Sequence, residues 1–135
     1  MPFFVWTDDL SVKVRVIDDQ HKKLFRIINT LHEAMREGRG RQKVEETLEE
    51  LVDYTVYHFG IEEKYMQQVN YPDYYNHKAQ HDAFAKKIAA FRKAHEKNQF
   101  GLSNELMLFL RDWLTNHIMG TDKLYSEMFV RAGIT

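Results

Sequence analysis

From residue 18 onward, apolar residues recur at intervals of three and four, the spacing of one face of an α-helix. Leu24, Phe25, Ile28, Leu31 and Met35 form a first stripe, with Asp18 or Asp19 as the expected cap and Gly38 and Gly40 closing it. A second stripe runs from about Gln42 to Gln67 and reads Val44, Leu48, Leu51, Thr55, His58, Glu62 and Tyr65. The turn Asn70-Tyr71-Pro72 introduces a third, carrying His77, His81, Phe84, Ile88, Phe91 and His95. After a loop from Asn98 to Leu102, Ser103 is the expected N-cap of a fourth helix bearing Leu106, Leu110, Trp113, Leu114 and His117. Residues 1–17 follow another rule. They are aromatic-rich, and Val12, Val14 and Val16 alternate with Lys13 and Arg15, which predicts an extended arm able to carry a short strand. No internal repeat or linker interrupts the chain. Short connections make successive helices antiparallel, so the expected fold is all-α: an up-down-up-down four-helix bundle over residues 18–135, with an extended N-terminal arm over 1–17, in one domain spanning 1–135.

The informative residues are the polar ones inside these stripes. His58, Glu62, His77, His81 and His117 sit where the helical period assigns the core, and an unpaired ionisable side chain is costly there. Axial position agrees. His21 lies near the start of the first helix, His58 and Glu62 near the end of the second, His77 and His81 near the start of the third, and His117 well along the fourth. In an antiparallel bundle all of them share one end. Asp122 is the awkward member, because five residues past His117 it is rotated by roughly 140° on a regular helix; Gly120 is the expected place for a local break that turns it inward. His32 lies roughly 16 Å from His21 and His95 roughly 21 Å from His81 along the axis, so both read as structural or surface residues. Tyr125 shares the face of the site and reads as ordinary packing, with a hydrogen bond within its reach.

Composition narrows the chemistry. The 135 residues hold 19 Lys+Arg against 20 Asp+Glu, a net charge of -1, which gives no electrostatic reason to expect a nucleic acid or an anionic membrane as partner. The basic cluster Arg36, Arg39, Arg41 and Lys43 falls at a helix C-terminus, where cations complement the dipole. With 0 Cys, disulfides, iron–sulfur clusters and thiolate sites are excluded. The opening MPFFVWTDDL has no basic region followed by a long apolar run, and no later stretch is long enough to cross a bilayer, so a cytoplasmic protein is expected.

Imidazoles and carboxylates converging from four helices suit a pair of metal ions. Five imidazoles and two bridging carboxylates supply nine bonds and one bridging solvent oxygen two more, while two octahedral ions need twelve, so one position stays open for a small ligand. Bridging carboxylates and octahedral demand favour iron over tetrahedral zinc. No glutamate has a histidine three residues on, which separates the pattern from the Glu-x-x-His sites of ferritin-like oxidases.

The segments Ile17-Asp18-Asp19-Gln20-His21-Lys22, His58-Phe59-Gly60-Ile61-Glu62-Glu63, the pair His77 and His81, and His117-Ile118-Met119-Gly120-Thr121-Asp122 resemble the hemerythrin family, whose single-domain bacterial members are the bacteriohemerythrins. The resemblance runs from Trp6 over essentially the whole chain. It implies two iron ions with a bridging oxo or hydroxo group, one held by His77, His81 and His117, the other by His21 and His58, with Glu62 and Asp122 bridging. It further implies that Leu24, Trp113, Leu114 and Ile118 wall a pocket for dioxygen. The implied role is non-enzymatic: reversible dioxygen binding for storage, transport or delivery by a monomer, with an oxygen-consuming protein as transient recipient. Two alternatives use the same residues, a scavenger of peroxide or nitric oxide and an oxygen or redox sensor acting through a separate partner.

Overall fold

The computed structural model describes residues 4–97 and 101–135. Four rods make the bundle: α1 (Arg15–Arg36), α2 (Gly40–Gln68), α3 (Tyr74–Glu96), and a composite fourth rod that begins as α4 (Leu102–Trp113). The fourth rod then continues without a break through a π-helix (Leu114–Thr121), a 3-10 turn (Asp122–Tyr125) and α5 (Ser126–Arg131). Each rod packs on its neighbours in the order α1–α2–α3–α4, with α4 returning to α1. The main core is the buried faces of all four rods: Leu24, Ile28 and Leu31 of α1, Leu48 and Leu51 of α2, Phe84 and Ile88 of α3, Leu106, Leu110 and Leu114 of the fourth.

The turns follow from residues that tolerate the left-handed conformation. Gly38 (φ 77°) ends α1: its N–H donates to the Met35 carbonyl at 3.1 Å and the Arg39 N–H to the Ala34 carbonyl at 2.7 Å. That pair of bonds caps the orphan carbonyls of the last turn. Asn70 (φ 53°) does the same for α2, where the Tyr71 N–H reaches the Met66 carbonyl at 2.8 Å. Asn is the non-glycine residue best suited to this geometry, and Pro72 just beyond it keeps the helix from continuing.

Three local expectations are corrected. No strand occurs among the described residues; the arm carries a 3-10 turn at Asp8–Leu10 instead, and α1 begins at Arg15, three residues before Asp18. The valine alternation does place Val12 and Val14 in the interior. They lack a partner strand, however, and pack with Ile17, Met66, Tyr125 and Phe129 in a second, smaller cluster. Asp18 caps the arm rather than a helix: its carboxylate accepts from the Val12 N–H at 2.9 Å and the Ser11 hydroxyl at 2.5 Å. Ser103 is not a cap either; α4 is entered through Gly101 (φ 76°), and residues 98–100 of the expected loop 98–102 lie outside the described residues.

The arm is tied down along its length. Asn29 exchanges two 2.8 Å hydrogen bonds with the Phe4 backbone, Trp6 meets Phe25 edge-on at 5.6 Å, the Ser126 hydroxyl donates to the Val12 carbonyl at 2.6 Å, and the Arg15 N–H donates to the Thr135 carbonyl at 2.8 Å. Together with α5 it forms a lid over the end of the bundle that holds the polar residues. Asp18→Ala strands the N–H of buried Val12 and should destabilise the protein by about 1–3 kcal/mol, measured as a fall in urea midpoint at unchanged m; an unaltered midpoint would show that the arm is held without this carboxylate.

Candidate metal centre

Each rod delivers its donors by helical periodicity. His21 comes from the second turn of α1, His58 and Glu62 from successive turns of α2, and His77 and His81 from the first turns of α3. His117 and Asp122 come from the composite rod, and here the π-helix matters. Its backbone bonds run from residue i to i+5, and the Asp122 N–H donates to the His117 carbonyl. One π turn therefore stacks Asp122 beneath His117, where a regular helix would have rotated it away. Gly120 is not the cause: it has no left-handed φ, and a side chain there would meet open space.

All seven side chains are at most 2% exposed. Their donor atoms fall into two groups, each within 4.8 Å: Glu62, His77, His81, His117 and Asp122 in one, His21, His58, Glu62 and Asp122 in the other. The two carboxylates belong to both groups.

Imidazole orientation explains what the layer is built for. The Nδ1 atoms of three rings point outward to fixed partners, His58 to the Gln20 amide oxygen, His117 to that of Gln80 at 2.6 Å, and His81 to the Glu63 carboxylate at 2.9 Å. A carboxylate only accepts, so His81 donates from Nδ1 and its inward Nε2 is free to carry a lone pair. Inside the layer, Nε2 of His21, His77 and His117 lies 3.1, 2.9 and 3.0 Å from Asp122 oxygens, and Nε2 of His58 and His81 lies 2.9 and 3.4 Å from Glu62 Oε1. Yet Nε2 of His21, His77, His81 and His117, with Glu62 Oε1 and both Asp122 oxygens, has no hydrogen-bond partner. Lone pairs facing lone pairs at such distances, away from water, require cations or protons among them. The residues present therefore fit a metal pair, with outward Nδ1 contacts that orient ligands in the usual manner of metal sites.

Titration behaviour carries the same message. Burial and the Asp122 charge push the Glu62 carboxyl upward, but His58 and His81 outweigh them and hold it well below the usual range. Burial likewise opposes ionisation of Asp122, and His117, His21 and His77 overcome it. Burial disfavours the charged form of His81, but the carboxylates of Glu62, Glu63 and Asp122 raise it to about 9. His21 is raised against its own burial by Asp122 and Glu62, while burial wins at His58 and lowers it. Without metal, protons on imidazole do the neutralising.

Sequence reasoning missed several participants. Gln20, Glu63 and Gln80 sit beside ligand positions in the chain, but all three serve a histidine on another rod, which no spacing reveals. Tyr125 does more than pack, because its hydroxyl donates to Glu62 Oε2, and burial with the Glu62 charge keeps it protonated far above neutral pH. Three rings are flanked by aromatics: Phe59 stacks on His81 at 3.8 Å, Trp113 on His117 at 4.0 Å and Tyr54 on His58 at 4.9 Å. Leu24, Leu114 and Ile118 are buried beside the layer and Trp113 is half-buried. His32 and His95 are half-buried and belong to neither donor group; His95 lines a small cavity with Glu45, Glu49 and Arg92. In the basic cluster, Arg36 pairs with Glu33, Arg39 with Glu37 and Lys43 with Glu46.

These features can be set beside known proteins. The hemerythrin HHE cation binding domain profile matches residues 12–129. A bacteriohemerythrin of Stenotrophomonas maltophilia is 39% identical over 127 residues, covering 94% of this chain and 82% of that protein. One from Methylococcus capsulatus is 37% identical, covering 93% of this chain and 95% of its own length. Among solved structures, wild-type hemerythrin superposes with a TM-score of 0.83 at 36% identity over 93% of this chain and 97% of that one, and a hemerythrin with a leucine-to-alanine substitution gives 0.84 over 95% and 98%. No helix among the described residues is long and apolar enough to cross a membrane. The chain, an all-α four-helix bundle with this donor layer, belongs to the hemerythrin family.

Proposed function

We propose that the chain binds dioxygen reversibly at a pair of iron ions and serves as an oxygen store or carrier in the cytoplasm rather than as an enzyme. The observation that carries this is the division of donors. One group has five residues and the other four, with Glu62 and Asp122 common to both. In this reading His77, His81 and His117 hold one iron, His21 and His58 the other, and the two carboxylates bridge. When bound, the iron pair supplies the two electrons that capture of dioxygen needs. The position left open lies on the four-donor side.

The protein's own part is to hold, orient and exclude. Gln20, Glu63 and Gln80 fix three imidazoles so that each Nε2 faces inward. Tyr125 holds one oxygen of Glu62 and leaves the other to the layer. Leu24, Leu114, Ile118 and the half-buried Trp113 bring apolar surface up to the site, and the arm and α5 close the opposite side. Water and its protons are thereby kept from the guest, and such exclusion favours release of the gas unchanged over its reduction. The family match supports the same reading, as do the relatives, which are bacteriohemerythrins.

Reconstitution with ferrous iron under nitrogen should give two irons per chain and a colourless solution. Air should then raise a visible absorption band that evacuation reverses. Multiple turnovers of added peroxide, with no reversible band, would favour the scavenger instead.

Glu62→Gln keeps the shape of the side chain but removes the charge shared by both donor groups. Iron per chain, counted by plasma emission after gel filtration, should fall from two to one or fewer; a full complement of two would show that Glu62 does not bridge.

Metal removal should expose the buried ionic balance. The folded-state pKa of His81, about 9, exceeds the ordinary imidazole value of 6.5, so its contribution to the metal-free protein is complete below pH 6.5 and lost as pH rises through 9. Glu62 and Asp122 are depressed, so their contribution holds above the ordinary carboxyl values of 4.5 and 3.8 and is lost on acidification. After chelation, Tm should peak between those limits and fall by several degrees toward pH 9, whereas the iron-loaded protein should hold its Tm across that alkaline range. Parallel profiles for the two forms would contradict this account.

A further inference from the structure

One polar atom deep in the bundle takes no part in holding imidazole or carboxylate. Tyr54 is 3% exposed, and its hydroxyl has no hydrogen-bond partner among the described residues. Its ring lies against His58, with centroids 4.9 Å apart and planes 21° from parallel.

The position of Tyr54 follows from helical arithmetic. It precedes His58 by one turn, roughly 6 Å down the axis of α2 toward the middle of the bundle. On antiparallel α1 the residue displaced in the same direction from His21 is Leu24, and on the fourth rod it is Leu114, three before His117. Tyr54, Leu24 and Leu114 belong to one continuous apolar cluster. Tyr54 is therefore part of the apolar layer directly beneath the donor layer, on the α1–α2 side, where His21 and His58 reside. That is the group with four protein donors instead of five. A cation there must complete its coordination with something from outside the chain.

A wall meant only to exclude water is served by phenylalanine, which fills nearly the same space without a hydroxyl to satisfy. Leu24, Leu114, Ile118 and Phe59 obey that logic, and Tyr54 does not. A buried donor without a partner is costly, which points to a partner that arrives with the guest.

We propose that Tyr54 is a specificity-determining residue of the pocket, its phenol donating a hydrogen bond to a small ligand with an acceptor lone pair or negative charge, of the class of azide, held at the His21–His58 side. The proposal rests on the di-iron reading given above. A phenol donor in an otherwise apolar wall shifts the preference of such a pocket toward anions and polar diatomics.

The test uses the full chain loaded with iron and oxidised, iron being counted before any ligand is added. Azide is titrated against wild type and Tyr54→Phe, read by visible absorption, with the azide stretching band recorded in H2O and D2O. Loss of one hydrogen bond to a charged acceptor should weaken azide binding about tenfold. The shift of the band in D2O should shrink in the variant, while the Tm of the metal-free variant stays level or rises, since a buried orphan has been removed. Equal azide affinities with equal isotope shifts would overturn the proposal and leave the di-iron reading intact. So would a variant of lower Tm with unchanged azide affinity, which would mean that the hydroxyl is paired with an internal water. A wild-type protein that takes up no iron would fail before azide is added, and would remove the di-iron reading and this proposal together.

Discussion

Two carboxylates buried beyond the reach of water, each facing imidazole nitrogens from other rods, are the constraint around which this molecule is organised. Glu62 and Asp122 are wholly buried, stay ionised, and lie within 2.9–3.4 Å of five inward Nε2 atoms. Water cannot solvate these charges, so cations or protons must. The fold then divides around that layer. A large apolar cluster occupies the bundle below it, and a small one made by the arm and α5 seals it above.

The same constraint accounts for features that otherwise look unrelated. The π-helix gives up regular hydrogen bonding over eight residues, and in return it brings Asp122 under His117. Tyr125, set by the 3-10 turn that follows, reaches back to Glu62. Asp18 and the Thr135 carbonyl hold the arm in place, which closes the layer from the end of the bundle. Polar partners at Nδ1 lock the rings, and aromatic faces at Phe59, Trp113 and Tyr54 occupy their flanks. A site so surrounded is preorganised: its ligands have little freedom to lose when the metal arrives.

Much of this was legible in the sequence, for reasons that can be stated. His58 with Glu62 and His77 with His81 fall at helical spacing inside apolar stripes, and antiparallel connection brings such pairs to one level, so four of the donors could be placed without coordinates. Asp122 was the awkward member: the break expected at Gly120 to turn it inward is instead a π turn, which leaves no mark in hydrophobic periodicity. Gln20 and Gln80 were hidden for another reason. Their partners, His58 and His117, are on different rods, and cross-rod contacts depend on the register and rotation of packed helices rather than on spacing along one. The arm shows the converse: alternation suggested a strand, and Val12 and Val14 are indeed buried, but a strand needs a second strand to pair with, and none exists among the described residues.

The central claim is that two cations, not two protons, neutralise the buried layer. It is met most directly by a crystal structure of the iron-loaded protein with anomalous data collected on either side of the iron absorption edge. Two anomalous peaks are expected, one within the donor group of His77, His81 and His117, the other within that of His21 and His58, with Glu62 and Asp122 reaching both. A single peak, or peaks confined to the surface while the layer stays metal-free, would contradict the account.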